Sequence, residues 1–300
     1  MIFKKVGTVS EGPKEKRFHF IAENRSLFGV RYLCSRLGVS TSGFYKWLKK
    51  PRSTRSVSNE RMTALIRKVF TAHDGNYGSP RVHQALKDMG IAVNRKRVER
   101  IMREERLIAK AAKLYRRKAL SGNSCIKATN LRCSQPAPSS PNQQWAGDVS
   151  YLKVNGAWVY LAVILDLYSR KVVGWSLGHS RTSELTMSAL KMALSQRKVS
   201  SGLIFHSDKG AEYGAHEYQN LLKASGIRQS MNRPRMMTDN IHVESFFRTF
   251  KTETFRGVVF ENIKHLREIT RWYLEEYYNR HRIHTSIGFK SPEEYEKQAA

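Results

Sequence analysis

From Phe18 to Lys50 apolar residues recur at helical spacing. Val30, Leu33, Cys34 and Leu37 form one stripe at i, i+3, i+4 and i+7. Gly38 ends that helix and Ser40 is placed to cap the next, which carries Phe44, Tyr45, Trp47 and Leu48. Two short helices joined around one glycine predict a helix-turn-helix unit whose second helix ends in Lys46, Lys49 and Lys50. An ordinary helical hairpin fits the same pattern. Residues 1–17 are polar and predict an arm, and Pro51 to Asn59 a polar link. A second unit follows, with Ser79 as cap and Pro80 at the first helical position. Its stripe is Val82, Ala85, Leu86 and Met89, stopped by Gly90. Asn94 then caps a helix with Val98, Ile101 and Met102 inward, and Arg95, Lys96, Arg97, Arg100 and Arg103 at other positions.

Residues 121–144 carry Ser, Asn and three prolines with little periodicity, and predict a linker. Beyond it the period changes. Strands are predicted over 146–154, 157–166 and 171–177, the first two joined by an Asn155-Gly156 turn suited to a hairpin. A helix over 183–195, a buried strand Leu203–Phe205, a helix marked by Tyr218, Leu221 and Leu222, and a strand Ile227–Met231 follow. The order predicts an α/β chain. Its core is ribonuclease H-like, a mixed five-stranded sheet with flanking helices, preceded by all-α helix-turn-helix DNA-binding units. The expected divisions are 1–57, 58–120, a linker 121–141, a catalytic core 142–256 and a helical extension 257–300.

Charge sharpens this picture. The 300 residues carry a net +28. Residues 1–140 hold 31 Lys and Arg against 9 Asp and Glu, while residues 141–300 hold 22 against 16. The first part is therefore the expected grip on a polyanion and the second the seat of chemistry. Cys34, Cys125 and Cys133 include no Cys-x-x-Cys pair, so neither a structural zinc nor a disulfide framework is expected. Trp158–Leu165, the longest apolar run, is too short to span a bilayer. A cytoplasmic, nucleoid-associated protein is expected.

Three acidic residues then draw attention. Asp148 lies in Trp145-Ala-Gly-Asp148 and is followed by a continuing strand, where Asp is disfavoured. Asp208 lies in His206-Ser-Asp-Lys-Gly210, just past a buried strand, at the end where α/β sites form. Glu244 opens a helix that Asp239 or Asn240 can cap, with 35 residues between it and Asp208. On that helix Arg248 lies about 40° from Glu244 and Lys251 about 20° the other way. Two Asp and one Glu from separate elements are the oxygen donors that hold divalent ions for phosphoryl transfer. Each also has a plainer explanation: a turn acid for Asp148 and Asp208, a helix-start acid paired with Arg248 for Glu244. Asp166 and Glu212 are rival carboxylates. His206 and His284 could orient a carboxylate, contact DNA or serve the core.

Taken together, Trp145-Ala-Gly-Asp148, the run Tyr160–Arg170, His206–Gly210 and Asp239–Phe247 resemble the integrase core of bacterial insertion-sequence transposases. The resemblance is to the second-frame product of the "insertion sequence three" family. Lys251 matches the basic residue after that family's catalytic Glu. Tyr278-Asn-Arg-His-Arg-Ile-His284 with Ser291-Pro292 resembles its closing motif. Ile241 stands where the family commonly has Ala, and Thr285 with Ile287 varies the closing pattern. The resemblance implies a DDE transposase binding element ends and target DNA, active as a homo-oligomer on paired ends. It also implies an upstream-frame partner or fusion, since no sustained heptad is present here. Two Mg²⁺ ions, replaceable by Mn²⁺, would be held by Asp148, Asp208 and Glu244. The alternative is a sequence-specific DNA-binding regulator whose core is inactive or unused. A retroviral-type integrase fits less well, because its zinc-binding His/Cys module is missing.

Overall fold

The computed structural model describes residues 12–49, 54–113, 129–233, 237–255 and 258–299. By packing, the chain divides into two units, Met1–Ala64 and Leu65–Ala300. Lys50, Cys125, residues 1–11 of the expected arm and residues 121–128 of the expected linker lie outside the described residues.

The first unit contains α1 (Lys14–Phe28), α2 (Val30–Arg36) and α3 (Thr41–Lys49). Phe18, Ile21, Leu33, Cys34, Leu37 and Phe44 make its core, with Trp47 packed against them. Of the predicted stripe Leu33, Cys34 and Leu37 are buried and Val30 is partly buried, and Ser40 Oγ accepts the Gly43 N–H at 3.1 Å as the expected cap. The arm is shorter than expected, because α1 already begins at Lys14. Arg17 explains this: its guanidinium donates to the carbonyls of Gly12 and Leu37, tying a polar segment to the helices beyond.

The polar link is also partly helical, since α4 runs from Thr54 to Ala72. In the second unit, α5 (Ser79–Asp88) starts one residue earlier than predicted. Gly78 is its cap, and Ser79 turns its hydroxyl toward Glu99 instead. Val82 and Leu86 are buried, but Met89 is exposed, being beyond the last helical turn. In α6 (Arg95–Glu104) the Asn94 side chain accepts the Lys96 N–H at 2.8 Å, and Val98, Ile101 and Met102 are buried as expected.

The sheet comprises β1 (Gln144–Val154), β2 (Ala157–Asp166), β3 (Val172–Gly178), β4 (Ile204–Ser207) and β5 (Arg228–Met231), in the order β3-β2-β1-β4-β5. The first three strands pair antiparallel, and β1, β4 and β5 pair in parallel. Asn155 (φ 47°) and Gly156 (φ 84°) make the predicted hairpin turn, where both positions need left-handed backbone. One sheet face is covered by α7 (Ser183–Gln196) and α8 (His216–Ala224) through Leu185, Ala189, Leu190, Tyr218 and Leu222. The other packs on α9 (Ile241–Phe250) and α10 (Ile263–Arg271) through Val243, Phe246, Phe247, Phe250 and Leu266. The near-continuous apolar run of β2 follows from burial on both faces.

The turns that continue α9 and α10 depart from α geometry. Lys251–Phe255 and Trp272–His281 are π-helical. They pack Tyr273, Leu274, Tyr277 and Tyr278 into the α9 face of the core, followed by α11 (Pro292–Glu296) with a Ser291–Glu294 capping box. The described part of the expected linker is tied to this unit. Thr129 O accepts the Met231 N–H, Leu131 N donates to Ser230 Oγ, and Asn130 and Arg132 bond to Asp239. None of the described helices is long and apolar enough to cross a membrane.

Candidate active site

The parallel pairing of β1 with β4 aligns Trp145 with Phe205 and Ala146 with His206. Continued two residues past its last pair, the same register leads to Asp148 on β1 and to Asp208 just beyond β4. Glu244 arrives from a different direction. Val243, Phe246 and Phe247 anchor α9 on the sheet, and Asn240 Nδ2 donates to the Gly147 carbonyl at 3.1 Å. That bond holds the start of α9 beside Asp148. Neither Asp239 nor Asn240 caps the helix with its side chain, contrary to expectation. Asp239 is instead paired with Arg233 at 3.0 Å, which holds its carboxyl down at about 2.

The three carboxylates feel one another. Burial and then the charge of Asp208 push half-buried Asp148 up to about 7, and Glu244 adds to this. Asp208 is raised by burial and by Glu212, and Glu244 by partial desolvation and by Asp208. Such mutual destabilisation is relieved by a cation. The donor set is all oxygen, as hard divalent ions require. The carboxylates are nonetheless engaged with protein donors. Asp148 Oδ1 accepts its neighbour Val149 N–H at 2.8 Å, and Asp208 Oδ1 accepts Gly210 N–H at 2.9 Å. Among the described residues no three His, Cys, Asp or Glu side chains converge tightly enough to chelate an ion as they stand.

The rival acids are otherwise occupied. Asp166 is fully buried and accepts the N–H groups of Asn142 and Tyr168, the work of a turn acid. Glu212 is buried against Arg181 at 2.7 Å, and Arg181 reaches Asp208 at 3.6 Å. The glycine at 210 has an ordinary φ of −64°; its need is space, because a Cβ there would lie 2.5 Å from Glu212 Oε1. The two histidines serve the core. His206 bridges Ser230 (2.9 Å) and Asn232 (2.8 Å), with burial pulling it down to about 4. His284 is buried against Tyr278 and Arg282.

Three family models match the chain: an HTH-like domain over residues 58–118 and integrase core domains over 138–236 and 225–292. The InsF transposase of insertion sequence IS3A from Escherichia coli K12 is 35% identical over 284 residues, covering 94% of this chain and 99% of that protein. The chain belongs to the IS3 transposase family. It is a DNA transposase, an enzyme of the polynucleotidyl-transferase type. The 31 kDa protein of insertion element IS600 from Shigella sonnei is 36% identical, covering 89% of this chain and 100% of that one. Among solved structures, a simian T-cell lymphotropic virus intasome chain matches 77% of the transposase and 74% of its own length, at 17% identity and TM-score 0.45.

The candidate DNA-contacting residues that are described fall at three places. Lys46 and Lys49 are exposed on α3 of the first unit. On α6, Lys96 and Arg103 are exposed, while Arg95 and Arg100 form i,i+4 pairs with Glu99 and Glu104 at 3.0 and 3.8 Å. Arg97 is half-buried beside them. Arg248 and Lys251 flank Glu244. Arg248 is exposed and Lys251 half-buried, within reach of the Asp148 charge. The change from α to π geometry at Lys251 moves it off the projected α position. Sequence patterns missed Arg181, which sits in the β3–α7 turn with no periodicity to mark it. They also missed Asn240 as the clamp on β1, since a cap residue looks the same whether its amide turns to the helix or to a strand.

Proposed function

We propose that Asp148, Asp208 and Glu244 are the catalytic carboxylates with which this transposase cleaves the ends of its element and joins them to target DNA. The observation that supports this best is the β1–β4 register, which runs toward Asp148 and Asp208, together with the Asn240–Gly147 bond that ties the start of α9 to β1. The three would hold two divalent ions, Mg²⁺ in the cell, with Asp148 shared between them. When bound, the ions stabilise the attacking and leaving oxygens of an in-line displacement. To ligate them, Asp148 and Asp208 would turn from their backbone donors. Arg181 would keep Glu212 neutralised and hold Asp208 in place. Arg248 and Lys251 would bind phosphates either side of the reacting one, and α3 and α6 would each contact duplex DNA. Joining requires two ends held together, so the working form would contain at least two copies on paired DNA ends.

Asp208→Asn and Glu244→Gln test the reading, because each keeps size and removes charge. Losing even residues that only support metal ligands costs about 10–100-fold. Each variant should therefore lose cleavage and joining by at least about a hundredfold while still binding end DNA. Normal Mg²⁺-dependent activity in both would refute it.

A further inference from the structure

Two aromatic side chains stand outside both halves of the sheet's core. Tyr151 on β1 is 61% exposed and Trp158 on β2 is 50% exposed, and neither joins the clusters that bury the sheet faces. Their rings meet edge to face, with centroids 5.3 Å apart. A cation attends each: Lys251 Nζ lies 4.6 Å from the Tyr151 ring and Lys153 Nζ 5.7 Å from the Trp158 ring. The hairpin that carries them is held at its tip, where Asn155 Nδ2 donates to the Glu261 carbonyl. It is also held in register, Lys153 lying opposite Trp158. Tyr151 follows Asp148 by three residues, so the two leave β1 on opposite faces, and it is Lys251, seven residues after Glu244, that reaches both the Tyr151 ring and the Asp148 charge.

Large aromatic faces left in water favour a partner with flat apolar faces of its own. The two ammonium groups require that partner to be anionic. Nucleic acid meets both conditions, but a closed duplex hides its base faces in the stack. Only an unpaired base offers one. We propose that Tyr151 and Trp158 form a platform on which an unpaired base next to the reacting phosphodiester stacks, with Lys153 and Lys251 on the adjacent phosphates. The proposal rests on the active-site reading above, because that reading puts the reacting phosphate beside Asp148. It gives the transposase a means of holding an opened DNA end, beyond its grip on the duplex.

The test uses the full chain in EDTA, so that no strand is cut. The probes are duplexes copying the element's ends, either fully paired or mismatched at the terminal pairs, with 5-iodouracil at the unpaired position. Light should crosslink the mismatched end to the peptide containing Tyr151 or to that containing Trp158. Tyr151→Ala and Trp158→Ala should each weaken binding of the mismatched end by roughly 5- to 150-fold, the worth of one stacked base. Both should leave the fully paired end bound within about twofold, and Tyr151→Phe should behave as wild type. Crosslinks only elsewhere, unchanged affinity in both alanine variants, or equal losses on paired and mismatched DNA would each overturn the proposal. So would a change of oligomeric state without a change in DNA binding, which would make the pair a seat for a second copy. Because these readouts need no cleavage, they are separate from the failure of Asp208→Asn or Glu244→Gln to abolish it.

Discussion

The end of α9 leads into a buried ion pair whose removal should be among the costliest single changes in the second unit. Arg282 donates to Glu253 through Nη2 at 2.8 Å and Nε at 2.9 Å, and the Tyr273 hydroxyl adds a third bond at 2.7 Å. The Arg282 and Glu253 side chains are 4% and 2% exposed. Burial opposes the guanidinium charge, but the Glu253 carboxylate outweighs it and holds Arg282 ionised above its usual range. Arg282→Met would keep the volume and leave Glu253 buried with only the Tyr273 hydroxyl. Breaking one side of such a pair costs about 3–5 kcal/mol. For a unit of this size each kcal/mol moves Tm by about 2–4 °C, so a fall of roughly 6–20 °C is expected. The double variant Glu253→Leu with Arg282→Met removes both charges and should recover most of the loss, since an apolar replacement of a whole pair is often neutral. Scanning calorimetry of the full chain, with urea titration followed by circular dichroism, measures both. An Arg282→Met transition within about 1 °C of wild type would refute this account of the pair. So would a double variant no more stable than the single.

Other expectations are as direct. His284 is held neutral well below its ordinary pKa by burial and by Arg282, so the unfolded chain takes up a proton there that the folded chain refuses. Its contribution is intact above about pH 6.5 and is lost as pH falls, by up to about 1.4 kcal/mol per unit; His284→Gln should flatten the pH dependence of Tm between 7 and 5, and an unchanged slope would count against the assignment. Gly210→Ala should destabilise by about 1–3 kcal/mol, because the new methyl meets the Glu212 carboxylate; a melt equal to wild type would show that the loop yields freely. Neutralising Lys96 and Arg103 together should lower the slope of log K against log salt for end DNA by about two, if α6 lies along phosphates; an unchanged slope would move the contact elsewhere.

Much of the fold was legible along the chain because the signals were local. Leu33 and Leu37 share a helical face, Asn155-Gly156 demands a hairpin, and β2 can be apolar throughout only if both its faces are covered. The candidate carboxylates were legible for a related reason, since an Asp inside a continuing strand and an Asp just past a buried one are out of place by propensity alone. The sequence could not settle which acids meet. Asp148, Asp166, Asp208 and Glu212 look alike in one dimension. Tertiary contacts separate them: the β1–β4 register runs toward Asp148 and Asp208, Asp166 accepts N–H groups of its own loop, and Glu212 pairs with Arg181. Cap assignments failed where a side chain had a better distant partner. Asp239 prefers Arg233 and Asn240 prefers the Gly147 carbonyl, and neither choice leaves a trace in the neighbouring residues. The π turns at Lys251 and Trp272 and the ion pair between residues 253 and 282 belong to the same class. They exist because aromatic packing and a buried charge repay an unfavourable backbone, and both partners come from elsewhere in the chain. Periodicity reports which face of an element is buried; which residues meet across that face is decided by how the elements pack.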